Sequence, residues 1–237
     1  MDTQNYEHSP QKIKVLVVDD HPLFRAGLER ALGLEDDIVV VGHSTDGEQV
    51  FSLVGKLAPD VVILDVNLPG INGHQVTRQL RSAQHKVAVV MLTAYHDIQQ
   101  TLYAMRAGAS AYCAKNIHPD DLVNVIRDTV AGHYVINGKR MDKVAVEEWI
   151  QKNMESIAPY TEDLDKHLIP LSPRETEILK YVTKGMSNKQ IATELNISQQ
   201  TVKNHMTAIL RKLNVEDRTQ AAVTAIRHGW VRIQDKN

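Results

Sequence analysis

Over roughly the first 135 residues, short runs of apolar residues alternate with segments of helical periodicity. The runs predict five strands, at Ile13–Val18, Ile38–Val41, Val61–Leu64, Val87–Leu92 and Ala111–Ala114. Segments in which apolar residues recur every three or four positions predict five helices, at Leu23–Leu34, Asp46–Leu57, Gly73–Arg81, Asp97–Ala107 and Pro119–Ala131. Runs such as DVVIL and VAVVML do not alternate with polar residues, which is typical of parallel strands covered by helices on both faces. We therefore predict an α/β domain with a doubly wound (βα)5 parallel sheet over residues 12–136.

The apolar pattern weakens between Asn137 and Pro170. The segment Asp142–Asn153 has the spacing of one amphipathic helix, whose apolar side is formed by Val144, Val146, Trp149 and Ile150. It is followed by two prolines and an acidic cluster, at Pro159, Pro170, Glu162, Asp163 and Asp165. We predict that residues 137–170 are a linker containing one helix.

Helix start signals follow in series after Pro170. Ser172-Pro173-Arg174-Glu175 supplies an N-cap, a proline at the first helical position and the glutamate of a capping box, and Ser187 with Gln190 forms a second box. A third helix is predicted from about Ser198 to Leu213 and a fourth over Asp217–His228. Because only three residues separate the second helix from the third, we predict a smaller all-α domain with a helix-turn-helix over 171–237.

Length and composition agree with two soluble domains. The chain has 237 residues, of which 43% are hydrophobic and 24% are charged. It has no run of about 18 apolar residues, and residues 1–11 form a polar segment, predicted to be a disordered tail, without an apolar signal region. Its single cysteine, Cys113, cannot form an internal disulfide. We expect a cytoplasmic protein that does not enter a membrane.

The charge is divided unequally between the two predicted domains. Residues 171–237 contain 11 Lys and Arg against 6 Asp and Glu, a net charge of +5, whereas residues 1–170 contain 16 against 23, a net charge of −7. This asymmetry indicates a basic module for a polyanion and an acidic module with a different role.

Polar residues follow the carboxyl ends of four predicted strands: Asp19 and Asp20, Asp65, Thr93 and Lys115. In a flavodoxin-like sheet of order 2-1-3-4-5, ligands bind at the switch point between strands 1 and 3. Three converging carboxylates need a counter-charge, for which Mg²⁺ is the natural hard cation. The set suits phosphoryl transfer with Asp65 as nucleophile, Lys115 as ammonium and Thr93 as hydroxyl. Helix capping at strand ends is the alternative explanation for any one of these acids.

The segments KVLVVDDHPLFRAGL, VVILDVNLPGINGHQV, VVMLTAY and GASAYCAK resemble the receiver domain of two-component response regulators. The C-terminal segment resembles the LuxR-type DNA-binding domain of the NarL/FixJ family. The resemblance implies that Asp65 is the phosphoacceptor and that Asp19, Asp20 and the Asn67 backbone carbonyl are metal ligands with Asp65. It also implies that Thr93 is the switch hydroxyl, Lys115 the phosphate-pairing lysine and Tyr112 the aromatic switch. Packing of Tyr112 on the core is the alternative role for that residue.

The third helix of the basic domain has two contrasting faces. An apolar stripe at helical spacing predicts the core, at Val202, Met206, Ile209, Leu210 and Leu213. The opposite face combines cations with groups able to hydrogen-bond base edges in a major groove, at Gln199, Lys203, Asn204, Thr207 and Arg211. The preceding NKQIATELNIS provides the scaffold helix and turn of a recognition helix.

The resemblance assigns these positions separate roles toward DNA. It implies contacts from Thr201 and Lys203 to phosphates or base edges, and base reading by Asn204 and Thr207. It also implies contacts from Asn188 and Lys189 to backbone phosphates. The last helix resembles the family's dimer contact, although packing on the first helix of the domain explains its apolar residues equally well.

These observations predict a response regulator. A sensor histidine kinase would phosphorylate Asp65, and the phosphorylated protein would bind promoter DNA as a homodimer. The chemistry would be limited to self-phosphorylation and self-dephosphorylation. A Mg²⁺-dependent phosphohydrolase with an aspartyl nucleophile is an alternative, but that class places a second Asp two residues after the nucleophile on strand 1, whereas this chain has Asp19-Asp20-His21. A DNA-binding protein whose receiver acts without phosphorylation is the third hypothesis.

Overall fold

In the described part of the first domain, seven strands form one sheet. The computed structural model describes residues 12–68, 71–94, 98–156, 171–213 and 215–227. The strands lie in the order β2-β1-β3-β4-β5-β6-β7. Their bounds are β1 Ile13–Val18, β2 Ile38–Ser44, β3 Val61–Asp65, β4 Ala88–Thr93, β5 Ala111–Ala114, β6 Tyr134–Ile136 and β7 Lys139–Met141. All neighbouring pairs are parallel except β6 and β7, which are antiparallel. The flavodoxin-like order predicted for the first five strands is confirmed.

Helices cover both faces of this sheet. They are α1 Pro22–Leu32, α2 Val50–Leu57, α3 Gly73–Ser82, α4 Ile98–Arg106 and α5 Pro119–Val130, and a 3₁₀ turn at Gly47–Gln49 precedes α2. Residues from alternate positions of the central strands enter two separate cores. On β1, for example, Leu16 and Val18 face α2, α3 and α4, whereas Val15 and Val17 face α1 and α5. This two-sided burial is why the strands are apolar at successive positions.

The first domain continues beyond residue 136, which differs from the predicted linker boundary. Asn137 and Gly138, with φ of 53° and 71°, form a tight turn that folds β7 back onto β6. The helix α6 (Lys143–Ser156) then packs on the core that contains α4. Val146 is 3% exposed in that core. Residues 139–156, which were assigned to the linker, are therefore held in this domain by strand pairing and apolar burial.

One residue of α6 departs from its predicted position. Val144 was placed on the apolar side of this helix, but its side chain is 64% exposed. Trp149 and Ile150 pack on the core beside Val146, as predicted. Residues two positions apart on an α-helix are separated by about 200° around the helix axis. Val144 therefore lies on nearly the opposite side of α6 from Val146.

Four helices make up the second domain over residues 171–213 and 215–227. They are α7 Pro173–Thr183, α8 Asn188–Glu194, α9 Gln199–Leu213 and α10 Arg218–Arg227. Both predicted capping boxes are present, at Ser172 with Glu175 and at Ser187 with Gln190. The turn between α8 and α9 contains Asn196 in the left-handed region, with φ of 50°, a conformation that asparagine tolerates. The predicted helix-turn-helix is therefore confirmed.

A buried ion pair ties the start of α7 to the end of α9. The Lys212 ammonium donates to Glu175 Oε2 at 2.6 Å, and Glu175 is 4% exposed. Burial alone would raise the pKa of the Glu175 carboxyl, but hydrogen bonds from Lys212 and Ser172 outweigh burial and hold the pKa below its usual value. The capping glutamate of α7 thus also fixes the packing of α9.

Three predicted segments lie outside the described residues: the N-terminal tail (1–11), the linker after Ser156 (157–170) and the end of the last helix (from residue 228). Within the part of the chain that is described, none of the helices is both long enough and apolar enough to cross a bilayer. Cys113 lies buried on β5, where burial raises the pKa of its thiol to about 12.

The packing of α6 can be tested with two valines on the same helix. Val146→Ala should lower the free energy of unfolding of the first domain by about 2 kcal/mol, because it removes buried methyl groups. Val144→Ala, the matched control, should leave that free energy unchanged because the side chain is exposed. Urea unfolding followed by circular dichroism measures both. Equal effects of the two substitutions would contradict the docking of α6.

Candidate functional site

Two buried carboxylates lie side by side at the carboxyl-terminal edge of the sheet. Asp65 ends β3, and Asp19 follows β1 directly. Strand pairing aligns Val18 with Leu64, so the next residue on each strand is one of these acids. Both are 1% exposed. Parallel strands therefore bring the two predicted acids together although 46 residues separate them in sequence.

A single lysine contacts both members of this pair. Lys115 follows β5, and its ammonium donates to Asp19 Oδ2 at 2.6 Å and to Asp65 Oδ2 at 2.8 Å. Its side chain is 14% exposed, so little water screens these contacts. The predicted position of Lys115 as the cation of the site agrees with this geometry.

Backbone amides hold the second oxygen of each acid. The Asn67 amide donates to Asp65 Oδ1 at 3.0 Å, and the His21 amide donates to Asp19 Oδ1 at 2.8 Å. Each carboxylate is thus fixed by a turn amide on one oxygen and by Lys115 on the other. Asn67, the predicted backbone ligand, lies in the turn that follows Asp65.

The same edge has the donor set of a cation site. One possible ligand atom from each of Asp19, Asp20, His21 and Asp65 lies within 4.8 Å of all the others. Three of the four residues are carboxylates, and oxygen donors of this charge are what Mg²⁺ prefers. The residues present therefore fit the predicted ion. His21 is an addition to the predicted set, and its Nδ1 lies 3.3 Å from oxygens of both Asp19 and Asp20.

The two predicted switch residues are buried on neighbouring strands. Thr93 ends β4 and is 3% exposed, and Tyr112 lies on β5 with no exposed surface. Tyr112 is paired with Met91, and both belong to the core beneath α4. Thr93 is two residues after Met91 and so faces the same side of the sheet. In this structure Tyr112 has the core position that was its alternative role.

In the second domain, α9 presents the two faces that its sequence predicts. Val202, Met206, Ile209 and Leu213 are buried, and Leu210 is partly buried against the same core. The opposite face is exposed at Gln199, Lys203, Asn204, Thr207 and Arg211. Thr201 and Asn188 are half-buried, and Lys189 is exposed in the first turn of α8.

Several polar groups on this face are engaged within their own helix. Asn204 Oδ1 accepts from Gln200 at 3.0 Å, and the Thr207 hydroxyl donates to the Lys203 carbonyl at 3.1 Å. The Thr201 and Ser198 hydroxyls share a hydrogen bond of 2.8 Å. The charged ends of Lys203 and Arg211, by contrast, form no ion pair with other residues in the described ranges. These cations are available to an external anion.

Both domains match known protein families. The model of the response regulator receiver domain matches residues 15–127, and that of the LuxR family of bacterial regulatory proteins matches residues 169–225. The transcriptional regulatory protein DegU of Brevibacillus brevis is 36% identical over 97% of this chain and 100% of its own length. This chain belongs to the NarL/FixJ family of two-component response regulators.

Two further comparisons agree with this assignment. The nitrate/nitrite response regulator NarL of Escherichia coli (strain K12) is 32% identical over 88% of this response regulator and 93% of its own length. Among solved structures, the signal receiver domain of NarL from Mycobacterium tuberculosis is 35% identical, with a TM-score of 0.51 over 52% of this chain and 99% of that domain.

Two residues of α1 that sequence analysis missed also contact the acidic site of this response regulator. The Lys115 ammonium lies 4.7 Å from the centre of the Phe24 ring, which is the geometry of a cation–π contact. Arg25 donates from Nη1 to the Asp19 carbonyl at 2.7 Å. Both residues lie in the segment KVLVVDDHPLFRAGL, but its sequence does not predict these contacts, because they depend on how α1 packs across the ends of β1 and β5.

A double-mutant cycle can measure the contact between Phe24 and Lys115. With Phe24→Leu and Lys115→Met made singly and together, urea unfolding should give a coupling free energy of about 0.5 to 2 kcal/mol, the range for partly desolvated cation–π pairs. The control cycle uses Phe51→Leu with Lys115→Met, because Phe51 is 45% exposed on α2. Additive effects in the Phe24 cycle would show that the ring does not stabilise the lysine.

Proposed function

We propose that this response regulator receives a phosphoryl group on Asp65 from a sensor histidine kinase in the cytoplasm and then binds promoter DNA as a homodimer. The observation that carries the proposal is the Asp65 carboxylate, which is buried at the strand edge, held by Lys115 and surrounded by the acids of a cation site. The protein acts as a switch, with chemistry limited to gaining and losing its own phosphoryl group.

The chain's own groups have defined roles in this transfer. An oxygen of Asp65 bonds to phosphorus as the bond from phosphorus to the kinase's histidine nitrogen breaks. The Lys115 ammonium, now shared by Asp19 and Asp65, pairs with a phosphoryl oxygen, and the Thr93 hydroxyl donates to another. Positioning and charge neutralisation of this kind provide most of the catalysis in phosphoryl transfer.

The cation site belongs to the same proposal. Asp19, Asp20 and Asp65, with the backbone carbonyl of Asn67, would hold Mg²⁺, which when bound supplies positive charge to the acids and to the phosphoryl oxygens. A ring nitrogen of His21 lies within 4.8 Å of an oxygen of each of these three acids.

Phosphorylation changes what Thr93 and Tyr112 contact. A phosphoryl group adds about −1.5 to −2 of charge and three acceptor oxygens. Movement of Thr93 toward those oxygens opens space on its side of the sheet, and Tyr112 lies next to that space beneath α4. We propose that the surface formed by α4 and β5 is altered in this way, which shifts the protein toward a dimer.

The second domain supplies the DNA-binding surface and a possible dimer contact. We propose that α9 enters the major groove with Lys203, Asn204, Thr207 and Arg211. Thr201 contacts a phosphate or a base edge, and Asn188 and Lys189 contact phosphates of the DNA backbone. On α10, Ala221 and Ala225 are buried, in agreement with packing on α7, whereas Val223 is 50% exposed. One face of α10 therefore packs within its own domain, and we propose that the exposed Val223 on α10 contacts a second copy of this chain in the dimer.

The phosphoacceptor is tested by Asp65→Asn. Incubated with acetyl phosphate and Mg²⁺, the wild-type chain should gain one phosphoryl group by mass spectrometry, and the variant should gain none because the nucleophilic oxygen is lost. Asp36→Asn, in an exposed acid, is the matched control and should be labelled normally. Labelling of Asp65→Asn at the wild-type level would show that another residue is the acceptor. Multiple turnover of a phosphate monoester would favour the phosphohydrolase alternative.

The DNA interface is tested by Lys203→Ala and by salt. Binding should weaken linearly on a log–log plot against salt, with a slope of about −0.9 for each phosphate neutralised. If Lys203 reads a base, its loss should cost about 1 to 3 kcal/mol on the specific site and relax specificity at one position. Lys180→Ala, on α7, is the control for lost charge. Equal losses on specific and random DNA would make Lys203 a phosphate contact.

A further inference from the structure

A cavity of about 480 Å³ opens at the amino-terminal edge of the sheet, on the opposite edge from Asp65. It lies among the starts of β4, β5 and β6, the end of α3 and the first two turns of α6. Its size falls in the range of small-molecule pockets, which is about 300 to 1,000 Å³. The helix α6 supplies one wall through Lys143, Val146, Glu147 and Ile150, so the extension of the domain beyond residue 136 completes the cavity.

Two neighbouring cations of the cavity lack carboxylate partners. The Arg81 guanidinium is half-buried and donates to three backbone carbonyls, those of Gly108 at 2.8 Å, His85 at 3.0 Å and Val87 at 2.8 Å. Lys86 is exposed at the rim. Neither residue forms an ion pair with any carboxylate in the described part of the chain. Carbonyl dipoles orient the Arg81 charge but leave it without a counter-ion.

The rest of the lining adds a third cation and an apolar surface. Lys143 Nζ lies 3.9 Å from Glu147 Oε1, one turn further along α6, and both side chains are well exposed. Val87, Met105 and Val146 are each less than 7% exposed and line the cavity together with Ile150. The three cations Arg81, Lys86 and Lys143 outnumber the one carboxylate, Glu147, so the lining has a net positive charge. A ligand of matching chemistry is a small organic anion with an apolar body.

We propose that this cavity binds a small carboxylic acid with a hydrophobic body, the carboxylate lying beside Arg81 and Lys86 and the body lying against Val87, Met105 and Ile150. Burial lowers the pKa of the Arg81 guanidinium, and a carboxylate held beside it would favour the charged form. Since the ligand touches both α6 and the sheet, it binds only the form in which α6 is docked and therefore stabilises that form. The cavity lies at the opposite edge of the sheet from Asp65, so the proposal does not rest on the phosphorylation proposed there.

The probe is 4-phenylbutyrate, and its uncharged analogue 4-phenylbutan-1-ol is the comparison ligand. In amide NMR spectra of the full chain, the acid should produce saturable shifts at Gly108, Ser110 and Gly132, which line or border the cavity. The alcohol should bind at least about tenfold more weakly, because it lacks the charge that pairs with Arg81 and Lys86. Inorganic phosphate, which lacks the apolar body, should also bind more weakly than the acid.

Variants at the rim of the cavity distinguish binding at this site from nonspecific binding of the probe. Lys86→Gln should weaken binding of 4-phenylbutyrate at least about threefold, whereas Lys56→Gln, which removes an exposed charge on α2, should leave it unchanged. Arg81 is left intact because its three carbonyl contacts hold the fold. Equal affinity for acid and alcohol, shifts that do not saturate, or equal effects of the two lysine variants would each overturn the proposal. None of these results bears on Asp65.

Discussion

One ammonium group, that of Lys115, holds two carboxylates that would otherwise repel each other in a site with almost no exposed surface. Burying an unpaired carboxylate is costly, and burying two in contact is costlier still, unless a cation is held against both. The ends of β1, β3 and β5 can meet in their observed arrangement because Lys115 contacts both Asp19 and Asp65 and reduces the repulsion between them. The turn amides, the aromatic ring of Phe24 and the bond from Arg25 all act to keep these three groups in place.

The sheet was predictable from sequence because its strands are buried on both faces. The run Val61–Leu64 is apolar at every position, which is typical of a strand buried on both faces. This pattern does not depend on how the side chains pack in detail. The starts of α7 and α8 could also be predicted from sequence, because a capping box is a local interaction between residues three positions apart. The hairpin was not predicted, since β6 and β7 have three residues each and show no periodicity. Its one local signal was the Asn137-Gly138 turn.

The site was predictable to the extent that it follows from strand ends. Asp19, Asp65, Thr93 and Lys115 each come at or just after the last residue of a parallel strand, so fold class alone brings them to one edge. His21, Phe24 and Arg25 reach the same place by a different route, through the angle at which α1 leaves β1. Sequence patterns do not encode that angle. The same limit applies to Tyr112, whose burial depends on α4 lying over β5.

The position of α6 connects these features. Val146, Trp149 and Ile150 of α6 pack on the same core that contains Tyr112 and the inner face of α4. Protein interiors are close-packed, so a side chain of this size cannot leave its place without a compensating shift by its neighbours. Tyr112 is among the largest fully buried side chains in the described part of the chain. Any rearrangement at Thr93 and Tyr112 must therefore be accommodated by α4 or by α6, and α6 is the last described element before the helix-turn-helix domain.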